Sequence, residues 1–232
     1  MLKRLDKFLC DKKIGTRSQV KVLIQKGLVT VNGEVVKKAD AKVADTDTVC
    51  CQGEILSAGE IGYFMLNKPA GLISATEDPS QQTVIDLFKD EPYKGLYPVG
   101  RLDKDTEGLL LITNDGPLGH KLLSPKKHVP KTYYAKLAHE LAREDIEALE
   151  NGVDIGEKNL TLPAKIEVLD ETAVYITITE GKFHQVKRMF EAVSNKVLYL
   201  KRISMGNLCL DESLGLGEYR ALSEEEIALL KQ

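Results

Sequence analysis

The sequence lacks the features that would attach a protein to a membrane or direct it to export. It has no run of about 18 uninterrupted apolar residues, which a transmembrane helix needs. Its first residues include Lys3, Arg4 and Asp6, where a secretory signal requires an apolar stretch. We therefore expect a cytoplasmic protein that has no membrane partner.

Cysteine and histidine are also too scattered to form a metal centre. Cys50 and Cys51 are adjacent while Cys10 and Cys209 are isolated, so the chain has no CxxC pair of the zinc-binding type. His184 has no second histidine at the HxxxH spacing, and neither a Walker loop nor a GxGxxG motif occurs. We therefore expect no metal and no cofactor.

Charge is distributed unevenly along the chain. The overall net charge is −3, yet residues 1–38 hold ten Lys or Arg and three acidic residues, a local net charge of +7. Further basic clusters lie at 121–136 and 182–202. Phosphate backbones respond to local potential, because charges beyond a Debye length of roughly 10 Å are largely screened. This segregation favours an RNA partner over a small anion.

The N-terminal segment predicts two short helices followed by strands. Leu2, Leu5, Phe8 and Leu9 have helical spacing, and a second apolar face ends at Gly27. A strand over 28–31 and the Asn-Gly pair at 32–33 then predict a β-hairpin.

Residues 4–9 (RLDKFL), 16–18 (TRS) and 27–33 (GLVTVNG) resemble the small RNA-binding domain of ribosomal protein S-four. Members of that family present a basic helix pair to structured RNA. The competing interpretation is a set of solubilising charges, which the hairpin and the spacing disfavour. The resemblance implies that the RNA-contacting residues are Arg4, Lys7, Thr16, Arg17, Lys21 and Lys26.

The small residues at 57–62 (SAGEIG) predict a linker, which divides the chain into domains at 1–58 and 59–232. Beyond it, the predicted strands are 63–66, 109–113, 133–137 and 173–179, and the predicted helices are 83–88, 142–151, 183–193 and one beginning at 223. Strands and helices mix without βαβ repetition, so the expected fold class is α+β.

Residues 100–111 (GRLDKDTEGLLL) place three acidic side chains directly before a buried strand, between glycines that permit tight turns. Asp103, Asp105 and Glu107 match the opening of a calcium loop. That loop needs a terminal acidic ligand where this chain has Asn114, and a flanking helix where this chain has a strand, so we reject it. On the residues alone, a polar turn and a catalytic loop remain open.

The same residues resemble the central motif of pseudouridine synthases, in GRLD at 100–103 and TEGLL at 106–110. The resemblance implies a mixed, largely antiparallel catalytic sheet and identifies Asp103 as the essential carboxylate. Residues 131–133 (KTY) resemble the motif whose tyrosine lies against the target base. Tyr133 matches that position better than Tyr134 does, and a buried core tyrosine is the alternative.

Residues 180–190 (EGKFHQVKRMF) resemble the motif whose arginine pairs with the catalytic carboxylate, which implies that Arg188 is the partner of Asp103. The spacing predicts that His184, Lys187 and Arg188 share one helix face, with Phe183 turned toward the core. We expect Arg101, His184 and Lys187 to contact RNA.

The resemblance implies isomerisation of a uridine in ribosomal RNA by a monomer without a cofactor. Residues 70–78, 103–108 and 128–133 resemble the branch that acts on 16S rRNA, and action on 23S rRNA is the alternative. Two other classes remain open. A non-catalytic RNA-binding or ribosome-assembly factor would not need the Asp103 and Arg188 pair, and a glycoside or nucleoside hydrolase would use two carboxylates.

Overall fold

The protein, seen in a computed structural model, has the predicted α+β class with a largely antiparallel sheet. The structure describes residues 2–44, 47–57, 61–124 and 127–231. Part of the predicted linker, at 58–60, and therefore the domain boundary, lie outside the described residues. Within the described ranges, no helix is both long and apolar enough to cross a bilayer.

The N-terminal part contains the two predicted helices and the predicted hairpin. Thr16 caps the second helix, since its hydroxyl accepts a hydrogen bond from the Gln19 amide at 3.4 Å. Asn32 and Gly33 both have positive φ, as a tight hairpin turn requires. The elements are β1 Lys3–Arg4, α1 Leu5–Asp11, α2 Arg17–Gln25, β2 Val29–Val31, β3 Glu34–Val35, β4 Lys42–Val43, β5 Val49–Cys51 and β6 Glu54–Ser57.

The rest of the chain surrounds one large sheet with strand order β11-β12-β10-β13-β9-β7-β15, to which β8 and β14 add at β9 and β13. Its strands are β7 Tyr63–Lys68, β8 Tyr97–Pro98, β9 Glu107–Thr113, β10 Lys131–Leu137, β11 Lys165–Val168, β12 Ala173–Ile178, β13 Val197–Met205, β14 Leu208–Cys209 and β15 Tyr219–Ala221. Its helices are a 3-10 helix Val84–Phe88, then α3 Gly116–Leu123, α4 Arg143–Asn151, α5 Gln185–Ala192 and α6 Glu224–Lys231.

Strand β9 lies inside this sheet and is apolar on both faces, as its sequence predicts. Leu110 and Ile112 enter one core cluster, whereas Leu109 and Leu111 enter the other. The start of β9 pairs in parallel with β13, where Gly108 is opposite Arg202. A Cβ atom on Gly108 would lie 2.2 Å from the Arg202 carbonyl oxygen, so only glycine fits. The loop before β9 is therefore anchored at the interior of the sheet.

Candidate active site

The loop that precedes β9 presents Asp103 to a cleft of about 990 Å³. The Ser74 hydroxyl holds the neighbouring Leu102 on both sides, donating to its carbonyl at 2.9 Å and accepting from its amide at 3.0 Å. The Thr106 amide donates to the Asp103 carbonyl at 3.1 Å. The backbone of Asp103 is thus fixed, while its side chain remains 25% exposed toward the cleft.

A fully buried lysine at the end of β7 supports this loop from below. The Lys68 ammonium donates to the carbonyls of Pro69 at 2.9 Å, Asp103 at 3.2 Å, Lys104 at 3.3 Å and Thr106 at 2.9 Å. Burial lowers the pKa of Lys68 to about 8. No motif in the sequence predicted a role for this lysine, although a cation at the end of a buried apolar strand is an unusual pattern.

Replacing Lys68 with methionine is expected to destabilise the protein by about 3–5 kcal/mol, because it removes the donor of the Pro69 and Thr106 carbonyls and the contacts that join β7 to the loop. Urea unfolding monitored by circular dichroism measures the change. The matched control is Lys104→Met in the same loop, since Lys104 is exposed and its ammonium donates to the Gln81 side chain. Equal stability of the two variants would contradict the supporting role of Lys68.

The same lysine predicts a pH dependence of stability. Its pKa is about 8 in the folded protein, against the ordinary value of 10.5. Between these values the unfolded chain binds more protons, so the contribution of Lys68 to stability rises with pH. The difference in free energy of unfolding between wild type and Lys68→Met should therefore shift in favour of wild type from pH 8 to 10.5. A constant difference would show that the pKa of Lys68 is not lowered.

The cationic partner of Asp103 is a lysine from α5. The Lys187 ammonium lies 3.3 Å from Asp103 Oδ2 and 2.6 Å from Asp105 Oδ1. His184 Nε2 lies 3.6 Å from Asp103 Oδ1 on the other side of the carboxylate. The hydrogen bond from Lys187 lowers the pKa of Asp105. Lys187 therefore joins the loop before β9 to helix α5.

The predicted pairing of Arg188 with Asp103 is wrong. The Arg188 guanidinium donates to Glu157 Oε1 at 3.0 Å, to the Phe183 carbonyl at 2.9 Å and to the Ile155 carbonyl. Consecutive helical residues point about 100° apart, so Lys187 and Arg188 do not face the same group. His184 precedes the helix in a left-handed conformation with φ of 48°, and its ring still lies against Asp103 together with Lys187.

Tyr133 lines the cleft together with Asp103 and Arg101. It sits on β10 and is 8% exposed. Tyr134 points to the opposite face of the sheet, where its ring lies 6.0 Å from that of Tyr175. Of the residues predicted for the catalytic domain, the structure gathers Arg101, Asp103, Tyr133, His184 and Lys187 into one region and leaves Arg188 outside it.

Two cations that were not predicted from the sequence, Lys131 and Arg202, also line the cleft beside Tyr133. Arg202 is 2% exposed and donates through Nε to the Leu109 carbonyl at 2.8 Å. Its Nη2 has no hydrogen-bond partner among the residues that the structure describes. The Lys131 ammonium donates to the Val129 carbonyl at 2.8 Å. The pKa of Lys131 is lowered, mainly by burial and secondly by the positive charge of the neighbouring Arg202. This part of the cleft therefore suits an anionic ligand.

The residues predicted to contact RNA in the N-terminal part are all exposed. Asp6, whose carboxylate is buried, orients two of them, since Arg4 Nη2 lies 2.9 Å and Arg17 Nε 3.6 Å from its Oδ2. These contacts, led by the hydrogen bond from Arg4, lower the pKa of Asp6. The hydroxyl of Thr16 is engaged in capping α2. The buried Asp6 carboxylate therefore holds Arg4 and Arg17 in place on the basic surface of this domain.

Comparisons with known proteins agree with this geometry. Residues 62–192 match the model of the RNA pseudouridylate synthase family, and residues 3–49 match that of the S4 domain. The chain is 51% identical to an uncharacterized RNA pseudouridine synthase of Bacillus subtilis, covering 99% of this chain and 98% of that protein. It is 45% identical to ribosomal small subunit pseudouridine synthase A of Escherichia coli, covering 97% and 98%.

A solved structure described as a pseudouridylate synthase superposes on the protein with a TM-score of 0.74. The two chains are 43% identical, and the match covers 98% of this chain and 99% of the other. The similarity therefore extends through both the N-terminal part and the large sheet.

Proposed function

Because the chain belongs to the RNA pseudouridylate synthase family, we propose that it converts one uridine of 16S ribosomal RNA to pseudouridine, with Asp103 as the catalytic carboxylate. The observation that carries the proposal is the Asp103 carboxylate, which the loop before the interior strand β9 presents to a cleft lined by cations. The choice of 16S rRNA rests on the relatives named for the small subunit. A 23S rRNA substrate is the alternative.

The reaction is an isomerisation that leaves the atom count of the RNA unchanged. The N1–C1′ bond breaks, the uracil turns, a C5–C1′ bond forms and the proton on C5 is replaced by one on N1. Asp103 begins this either by adding to the substrate as a nucleophile or by removing a sugar proton. Both routes require a carboxylate aimed at the junction of sugar and base. The hydrogen bonds from Lys68 to the Asp103 carbonyl and from Ser74 to the Leu102 carbonyl fix the backbone that carries this carboxylate.

In this proposal the cation that pairs with Asp103 is Lys187, and not Arg188 as the sequence motif implied. Its ammonium lies 3.3 Å from the Asp103 carboxylate, where it offsets the negative charge and holds the group toward the cleft. Tyr133 provides a flat, mostly buried wall for the uracil while the base is detached. A uridine within structured RNA must leave its stack to reach this cleft, at a cost of a few kcal/mol that contacts with basic residues offset.

The N-terminal domain, for which we retain the boundary at residue 58, anchors the RNA through phosphates. The protein acts as a monomer in the cytoplasm, where ribosomal RNA is made and assembled. Replacing Lys7 and Lys21 together with glutamine should weaken binding to small-subunit rRNA and reduce the slope of log affinity against log salt by about 2. Filter binding over a salt series measures both quantities.

The matched control replaces Lys165 and Lys196, two exposed lysines of the catalytic domain that are not among the residues lining the cleft, with glutamine. This double variant has the same change in net charge and should keep the wild-type salt dependence. If both double variants lose affinity equally, the effect comes from net charge and the N-terminal helices are not the anchor.

Incubation with rRNA transcripts separates the proposed function from the two other classes. A pseudouridine synthase yields the modified base, a non-catalytic assembly factor leaves the RNA unchanged, and a hydrolase releases free uracil. Free uracil as the main product would overturn the proposal, and so would unmodified RNA after incubation with transcripts and partly assembled particles.

A further inference from the structure

Two stacked rings stand at the mouth of the cleft. The Phe183 and His184 rings lie 3.8 Å apart between centroids and are tilted by only 18°. Phe183 is 67% exposed, although its position in the sequence pattern predicted a core residue. The left-handed conformation of His184 delays the start of α5 to Gln185 and turns Phe183 outward. A hydrophobic ring is therefore held in solvent beside the catalytic loop.

The segment that carries these rings is fixed at both ends. The buried Gln185 side chain accepts a hydrogen bond from the Lys182 amide at 2.9 Å and donates to Glu180 Oε1 at 2.7 Å. Arg188 donates to the Phe183 carbonyl at 2.9 Å and is itself held by Glu157 at 3.0 Å. The exposed ring is thus preorganised, so little conformational entropy would be lost when a ligand binds to it.

The surroundings of the rings suit a nucleic-acid strand. Phe183 and His184 line the same cleft as Asp103, and His184 Nε2 lies 3.6 Å from the carboxylate. Lys104, Arg101 and Lys182 line it as well and supply positive charge for phosphates. Aromatic side chains bordered by cations bind successive bases of single strands, because every base has a flat face.

We propose that Phe183, backed by His184, is a stacking platform for the nucleobase next to the target uridine. The proposal rests on the proposed function, since it takes the everted uridine to lie at Asp103. The flanking base leaves its own helix and stacks on the open face of Phe183. This contact holds the distorted strand, so that the uridine stays directed into the cleft. Arg188 acts as a positioning residue for the platform.

A substitution series at Phe183 tests the role of the flat ring. Phe183→Leu keeps an apolar side chain without a ring, and we expect it to reduce kcat/KM for small-subunit rRNA by about 10- to 100-fold. Phe183→Tyr keeps the ring and should retain most of the wild-type value. Because the side chain is exposed, all variants should fold, and circular dichroism checks this. Equal kcat/KM for the Leu variant and wild type would overturn the proposal.

A second measurement is independent of catalysis. The chain contains no tryptophan, so Phe183→Trp introduces a single indole at the platform. In an Asp103→Asn background, which should bind RNA without turnover, adding small-subunit rRNA should quench this fluorescence strongly by base stacking. Val168→Trp on the exposed edge strand β11 is the control and should change little.

Equal quenching at positions 168 and 183, or none at 183 while filter binding shows a complex, would overturn the platform. If quenching occurs at 183 but the wild-type enzyme makes no pseudouridine, a base does stack on Phe183, and it is the proposed reaction that fails. The two ideas are therefore separable.

Discussion

Replacing Asp103 with asparagine is expected to lower the single-turnover rate of pseudouridine formation by at least about 10³-fold. The amide has nearly the same size, but it neither attacks carbon nor accepts a proton as a carboxylate does. The side chain is 25% exposed and the loop is held by Lys68, so the fold and the RNA affinity should be preserved. Tritium release from RNA labelled at uridine C5 measures the rate, and filter binding measures the affinity.

The neighbouring Asp105→Asn is the control for this result. Its carboxylate also contacts Lys187, at 2.6 Å, but it is 73% exposed and is not among the described residues that line the cleft. We expect a far smaller loss of rate, because Lys187 keeps its contact with Asp103. Similar losses for the two variants would indicate that the pair of carboxylates acts together, as in a hydrolase. Substantial turnover by Asp103→Asn would remove the catalytic assignment.

Replacing Lys187 with methionine should lower the single-turnover rate by about 10- to 100-fold, the value of a charge-assisted contact of roughly 1.5–3 kcal/mol. The Asp103 carboxylate would lose its nearest cation and its fixed direction. Lys187→Arg restores a positive charge and should recover part of the rate. The measurement is again tritium release under single-turnover conditions, in which product release does not contribute.

Arg188→Met distinguishes the structure from the sequence motif. Arg188 contacts Glu157 and the Phe183 carbonyl, so its loss should loosen the segment at the cleft mouth and act mainly on RNA binding. If Arg188→Met instead lowers the saturated single-turnover rate more than Lys187→Met does, the arginine is the partner of Asp103 and the geometry described above is wrong.

The contrast between Lys187 and Arg188 shows which part of the site could not be predicted from the sequence. The motif at 180–190 located the basic helix, but Lys187 and Arg188 are adjacent in it, and the rotation of α5 against the loop before β9 decides which of them faces Asp103. His184, just before this helix, has a left-handed backbone conformation, and such a conformation at a residue other than glycine leaves little signal in a sequence. The left-handed conformation of His184 also leaves Phe183 exposed, whereas the helical pattern predicted that Phe183 would face the core.

Strand β13 was missed for a related reason. Its central Lys201 and Arg202 appeared in the sequence as part of a surface basic cluster, whereas Arg202 is buried beside the cleft. Functional sites often break the pattern of apolar burial from which strands are recognised. By contrast, β9 and the N-terminal hairpin follow that pattern, and the sequence predicted both of them.

The position of the catalytic loop follows from contacts between distant parts of the chain. Lys68 binds the loop from β7, Gly108 lets β13 approach, and Lys187 reaches it from α5. Lys68 has no local sequence signature, and the motifs that contain Gly108 and Lys187 do not show what these two residues contact. Sequence alone therefore identified Asp103 as the candidate, and only the fold shows how it is held.

The role of Asp103 is tested most directly by mapping pseudouridine at nucleotide resolution in small- and large-subunit rRNA after incubation with wild-type protein or with Asp103→Asn. We predict one new pseudouridine in 16S rRNA with the wild type and none with the variant. Modification by both proteins, or by neither on any transcript or assembling particle, would contradict the assignment of Asp103 as the group that isomerises the uridine.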